Sequence, residues 1–172
     1  GKADVITGLS MFSHLQNQHK FIDDVKTLLT DDGRFIIEVE YNFEMLKRMS
    51  FERFYLDRIF YFSVTSFETI FQMHDMYLSD VEVTEIHGGT LRVTAQKKGF
   101  GKEPSKRVKE LMAKEKKYLT PQYVRKFGKD AKKHVEKLKQ TLEQYKVIGL
   151  TVAGYGSPAR VSTITNFGDI GT

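Results

Sequence analysis

The sequence predicts an α/β fold, on three observations. Near the start, an apolar run at residues 4–9, an amphipathic stretch at 19–29 and a second apolar run at 34–40 give the order strand, helix, strand. That order calls for a parallel pair joined by a right-handed crossover. Further on, two alternating segments flank His87-Gly88-Gly89, the pattern of an antiparallel hairpin. Beyond residue 146, an apolar run leads through a glycine-bearing turn into a helix-like stretch, the pattern of one more strand-helix unit.

Each element has a local reason. Residues 4–9 read as a short buried strand. The helix at 19–29 places Phe21, Ile22, Val25, Leu28 and Leu29 on one stripe. Asp31-Asp32-Gly33 is a turn signal, and Phe35, Ile36, Ile37 and Val39 mark the strand after it. Residues 43–62 are apolar and aromatic-rich, helical first and then loop-like. Thr65-Ser66-Phe67-Glu68 resembles a helix start with Ser66 as the cap of a helix running to about Met73. Strands at 77–86 and 90–96 alternate through Leu78, Val81, Val83 and Ile86, and through Leu91, Val93 and Ala95. Residues 102–145 are helical in pattern, broken at Thr120-Pro121, where Pro121 suits the first position of a second helix after a threonine cap. Residues 147–153 read as a buried strand, and a helix-like run begins at Ala159. A lone strand-helix unit cannot bury its own strand, and a parallel sheet with one crossover needs cover on both faces. The pattern therefore predicts a part of a larger α/β protein.

Composition bounds the function. At 172 residues and 40% hydrophobic, with thirteen phenylalanines, the chain can bury a real core and is not a disordered segment. No cysteine is present, which excludes disulfides and thiolate metal sites within these residues. No apolar stretch is long enough to cross a bilayer, and Gly1-Lys2-Ala3-Asp4 does not open a signal peptide. The expectation is a cytoplasmic protein with no membrane partner. The net charge of +5 is concentrated: residues 100–146 hold 15 Lys/Arg against 6 Asp/Glu, a solvated helix face in the plain reading. Nucleic acid is not an expected partner, because no exposed aromatics interleave with the basic residues and no known module is evident.

Three tracts are more specific. The run Ser50-Phe51-Glu52-Arg53-Phe54-Tyr55-Leu56-Asp57-Arg58, followed by Phe62-Ser63-Val64-Thr65-Ser66, resembles a family tract Phe-Asp-x-Ile-Tyr-x-Glu-His and Phe-Ser-x-Thr-Ser. His87-Gly88-Gly89-Thr90-Leu91-Arg92 resembles His-Gly-Gly-x-x-Arg. Gly154-Tyr155-Gly156-Ser157-Pro158-Ala159-Arg160, with Thr165-Asn166-Phe167 beyond, resembles Gly-Tyr-Gly-Ala-x-Ala-Lys and Thr-x-Asn. In this order the tracts resemble the S-adenosylmethionine-dependent C-methyltransferases of deoxysugar biosynthesis, which alkylate a keto-sugar carbon on a nucleotide carrier. The resemblance implies a partial class I (Rossmann-like) methyltransferase sheet ending in the hairpin, a helical linker, and the first βα unit of a second Rossmann-like domain. The implied domains are 1–99, the rear of the methyltransferase domain; 100–146, a basic helical segment; and 147–172, the start of a C-terminal α/β domain. It also implies S-adenosylmethionine as cofactor and a zinc site only in an N-terminal region outside these residues. A nucleotide-linked sugar is the implied small-molecule partner, with self-association or pairing with a further half of the enzyme. The Gly-rich acidic loop that cradles the methionine end of the cofactor has no counterpart here, so these residues alone are expected to be inactive.

Alkylation beside a ketone needs a base for the α-proton and a group to hold the enolate. The resemblance implies a place near the sugar for Tyr55, which is otherwise one more aromatic beside Phe54, Phe60, Tyr61 and Phe62. Asp57 stands where the family has Glu. Arg58 replaces its histidine, and an arginine cannot accept a proton, though it can hold an enolate or a phosphate. That departure supports an alternative reading as a non-catalytic relative or a binding or scaffold subunit. His14 follows the first strand, at the carboxyl end of the sheet where ligands gather, or is a satisfied polar residue at a helix start. Ser10 stands near the cofactor in the resemblance, where the family tends to have Asn. His87, Gly88, Gly89 and Arg92 would face the sugar, while two glycines equally serve a tight turn. Gly154, Tyr155 and Gly156 form a strand-to-helix turn suited to an anion, and with Arg160 and Asn166 would face the nucleotide end.

Overall fold

A computed structural model describes residues 1–100 and 103–171; position 102 of the predicted helical stretch lies outside the described residues. The chain divides into two compact units, Gly1–Met45 with Asp57–Leu119, and Leu46–Leu56 with Thr120–Thr172.

The first unit is built on a mixed sheet of β1 (Ala3–Leu9), β2 (Leu29–Glu40), β3 (Met76–Thr84) and β4 (Thr90–Lys97), in the order β1-β2-β4-β3. β1 and β2 are parallel, and β4 is antiparallel to both β2 and β3. This matches the predicted α/β order of a parallel pair followed by a hairpin. Period-two alternation sets the faces. Phe35, Ile37 and Val39 of β2 and Leu91, Val93 and Ala95 of β4 are buried, whereas Glu38, Glu40 and Arg92 lie on the opposite face. The apolar face is covered by α1 (Gln18–Leu28), α3 (Val64–Gln72) and α4 (Lys106–Tyr118), through Ile22 and Val25, Phe67 and Phe71, and Val108. Phenylalanines join the layers: Phe67 stacks on Phe62 at 4.6 Å between ring centroids and lies 5.8 Å from Phe71, and Phe12 is 5.2 Å from Phe62. Burying one such ring contributes roughly 1.5–3 kcal/mol. The start of α4 is tied to β3, where Ser105 donates its Oγ to Asp80 at 2.6 Å and its N–H to the Ser79 carbonyl at 2.9 Å.

Several sequence expectations are corrected. β1 is mostly exposed, with Val5 and Leu9 open, because it pairs only on its β2 side among the described residues. Asp31-Asp32-Gly33 is not a turn before a strand. It lies inside β2, where the pairing jumps from Ala3 opposite Leu29 to Val5 opposite Arg34. The surplus residues are taken up as a bulge, and Gly33 leaves room there for the buried Leu29 side chain, which a Cβ would meet at 2.3 Å. α1 starts one residue earlier than expected, capped by Asn17, whose side chain accepts from Lys20 N. The cap of α3 is Ser63, not Ser66. Ser63 accepts from Ser66 N, while Ser66 Oγ accepts from Ser63 N, a reciprocal capping box.

In the second unit, α5 (Pro121–Val147) starts as predicted, with Thr120 accepting from Tyr123 N and Pro121 in the first turn. Ala131 and Val135 are its buried residues, Val135 against Gly168 of the next helix. α6 (Ala159–Gly168) packs on α5 and on a 3₁₀ turn, Phe51–Arg53. Phe51 lies 5.8 Å from Phe167, and Thr163 donates its hydroxyl to the Phe54 carbonyl at 3.2 Å. The strand expected at 147–153 is not formed. Gly149, at φ 83°, takes the left-handed turn that ends α5, and the chain then runs exposed, with neither helix nor strand, to Pro158. A strand needs a partner for its amides, and none pairs with this segment among the described residues.

No helix of the described residues is long and apolar enough to cross a membrane.

Candidate functional site

Strand register places several of the singled-out residues at one edge of the first unit. Leu9 is opposite Glu38 and Glu40 is opposite Thr90, so Ser10 and His14, the end of β2, and His87-Gly88-Gly89 all lie at the carboxyl ends of the parallel strands. Ser10, at φ 55°, turns the chain out of β1 while its N–H still donates to the Glu38 carbonyl at 2.9 Å. A 3₁₀ turn, Phe12–His14, follows, pinned by the fully buried Phe12.

The segment after Asp57 is stitched to that turn. Ile59 N and Phe60 N donate to the Ser13 carbonyl at 3.2 and 3.3 Å, and His14 Nδ1 donates to the Asp57 carbonyl at 2.5 Å. His14 and Asp57 are both exposed. Arg58 turns inward and forms an ion pair with Glu40, the side chains only 10% and 12% exposed. Glu40 was missed by the sequence reading. Its signal was present, because alternation along β2 puts Glu38 and Glu40 together on the polar face.

His87 takes a left-handed conformation, at φ 51°, in the connection between β3 and β4; Gly88 follows at 79° and Gly89 at 120°. The hairpin connection is thus as predicted, and the glycines have a structural cause. Gly89 is buried against α2 (Asn42–Lys47), where a Cβ would meet the Glu44 Cβ at 2.7 Å, and its carbonyl accepts from Tyr41 N. The His87 imidazole is exposed, and no hydrogen bond holds it among the described residues. Arg92 lies in mid-sheet, its guanidinium between Glu38, at 2.8 Å, and Glu82, at 3.2 Å. These bonds account for it as a cross-strand tie.

Beneath the edge lies Glu115 of α4, which the sequence reading did not single out. It is 2% exposed and accepts from the Tyr41 hydroxyl at 2.7 Å, Val64 N at 2.7 Å, Thr65 N at 2.9 Å and Thr65 Oγ1 at 2.6 Å. It thereby caps α3 and fixes Tyr41. Burial, followed by the charge of Glu115 and its hydrogen bond, pushes the Tyr41 phenol far above its usual range.

The remaining residues belong to the second unit. Tyr55 is half-buried there. Gly154, Tyr155 and Gly156 lie on the exposed run before α6, with Arg160 and Asn166 on that helix. With no strand before it, the expected strand-to-helix turn is absent, and α6 begins at Pro158 without a side-chain cap. Among the described residues, no group of three or more His, Asp or Glu side chains is arranged to hold a metal ion.

Histidines, an arginine and carboxylates gathered at the carboxyl edge of the parallel pair stand where α/β folds of the ligand-binding class place their sites. The family is narrower. The family model described as a C-methyltransferase C-terminal domain matches residues 85–172, just over half the chain, and the chain belongs to this family. A methyltransferase-domain model matches residues 1–78. The C-methyltransferase NovU of Streptomyces niveus is 30% identical over 166 residues, which cover 95% of this chain and 40% of NovU. The chain therefore spans less than half the length of that relative. Among solved structures, the magnesium protoporphyrin IX methyltransferase ChlM of Synechocystis, with bound SAH, is 14% identical at a TM-score of 0.43, over 56% of this chain and 46% of ChlM. The B. subtilis tRNA methyltransferase TrmK is 16% identical at 0.35, over 98% of this chain and 60% of TrmK.

Proposed function

We propose that these residues form part of an S-adenosylmethionine-dependent enzyme that methylates a carbon beside the ketone of a nucleotide-linked deoxysugar. The observation that carries the reading is the gathering of His14, Arg58 and His87-Gly88-Gly89 at one sheet edge, on loops from three parts of the sequence. The likeness to a C-methyltransferase supports the reaction class. In the assembled enzyme, Ser10 and His14, on the exposed turn above β1, would contact the cofactor, which supplies an electrophilic methyl group. The fit is partial, since these residues contain no Gly-rich acidic loop for its methionine end. We therefore expect the 172 residues alone to transfer no methyl group. Tyr55 and Asp57 would lie on the sugar side, and the exposed Gly154–Gly156 run, Arg160 and Asn166 on the nucleotide side. Calorimetry with S-adenosylmethionine tests the division of labour, with no binding expected for the 172 residues alone; micromolar binding by them overturns it. Methylation of a nucleotide-linked keto-deoxysugar by the full-length protein tests the activity.

The Arg58–Glu40 ion pair favours a second reading, in which the protein is a non-catalytic relative whose edge was repacked around an arginine. An unmodified full-length protein that turns over refutes it. Turnover that appears only after Arg58→His establishes it.

A further inference from the structure

The carboxyl edge of the first unit offers several groups able to exchange a proton with a bound substrate, and their surroundings distinguish them. Arg58 cannot act as a base, and its ion pair engages Glu40. His87 and the Asp57 carboxylate are exposed, and no hydrogen bond fixes either side chain among the described residues. His14 alone is both exposed and held. Its Nδ1 lies 2.5 Å from the Asp57 carbonyl oxygen. A carbonyl can only accept, so Nδ1 carries the proton, and in the neutral ring the lone pair sits on Nε2. No other hydrogen bond engages the ring among the described residues. The turn that carries His14 is anchored by buried Phe12 and by the two amides donated to Ser13.

We propose that His14 Nε2 is the proton acceptor of the methyl-transfer reaction, with the Asp57 carbonyl setting its tautomer and aim. His14 takes the proton from the substrate carbon beside the ketone, and the C–H electron pair becomes the enolate. The enolate carbon then bonds the methyl group of the sulfonium, whose C–S electrons return to sulfur as S-adenosylhomocysteine is released. Arg58 has no part in the proton transfer. This proposal rests on the methyl-transfer reading, and its test separates the two.

The test is deuterium wash-in without methyl transfer. The full-length, tag-free protein is incubated in D₂O with S-adenosylhomocysteine and the probe dTDP-4-keto-6-deoxyglucose, and deuterium beside the ketone is read by mass spectrometry. His14→Asn keeps a side-chain N–H for the Asp57 carbonyl and removes the base; His14→Ala removes both. Both variants are expected to lose exchange by roughly 10²–10⁴-fold, with added imidazole restoring part of it in His14→Ala. Long-range ¹H–¹⁵N spectra of the wild type are expected to report the Nδ1–H tautomer. Exchange in His14→Asn within about threefold of wild type overturns the proposal and leaves the functional reading standing, as does an Nε2–H tautomer. A wild type that neither exchanges nor methylates the probe overturns both.

Discussion

Glu115→Ala removes the buried carboxylate that joins α4 to Tyr41 and to the start of α3. The carboxylate is 2% exposed and receives four hydrogen bonds. Two of the donors, at Thr65, belong to an exposed residue and can turn to water. The other two, the Tyr41 hydroxyl and Val64 N, belong to fully buried residues. Leaving a buried donor unsatisfied costs about 1–3 kcal/mol, so these two together account for about 2–6 kcal/mol. Alanine also relieves the cost of keeping an anion out of water, which places the net loss near 3 kcal/mol. Glu115→Gln keeps one oxygen for the Tyr41 and Val64 donors and turns its NH₂ toward Thr65, so about 1–2 kcal/mol is expected. Urea unfolding of both variants, with the slope unchanged, measures these differences. A loss below about 1 kcal/mol for alanine, or a glutamine variant less stable than the alanine variant, refutes the reasoning.

Gly89→Ala forces a side chain onto a backbone at φ 120° and a Cβ to within 2.7 Å of Glu44 Cβ; an expected loss of about 2–4 kcal/mol is checked by thermal unfolding. Arg58→Met and Glu40→Met each break a nearly buried ion pair, at about 3 kcal/mol apiece, whereas the double variant is expected to lose far less than their sum; additive losses in a double-mutant cycle contradict the pairing. Tyr41→Phe tests the raised phenol. The unfolded tyrosine ionises near pH 10 while the folded one resists, so its contribution is complete below about pH 10 and declines as the pH rises beyond it. The wild type should therefore lose about 1.4 kcal/mol more per pH unit than Tyr41→Phe in that range; parallel alkaline profiles refute it.

What the sequence revealed depended on whether the cause was local. The alternation of β2, the Thr120-Pro121 start of α5 and the glycine hairpin are specified by neighbours in the chain, and all three are found. Residues 147–153 have the composition of a strand but no partner among the described residues, and pairing is not written in a strand's own composition. At the candidate site, Arg58 was visible as a departure from the family tract, yet its meaning depends on Glu40, eighteen positions earlier on another element. Glu115 is the most instructive case. Read as composition, it is one acid within a lysine-rich helix and belongs in solvent. Read as geometry, it falls on the stripe of Val108, Leu111, Met112 and Leu119, which packs on or within the core. A carboxylate in a slot that helical spacing reserves for an apolar side chain requires buried donors to meet it, and the amino end of another helix is the commonest place to find several together. The sequence thus contained the demand, and the fold supplies the partners in Tyr41, Val64 and Thr65.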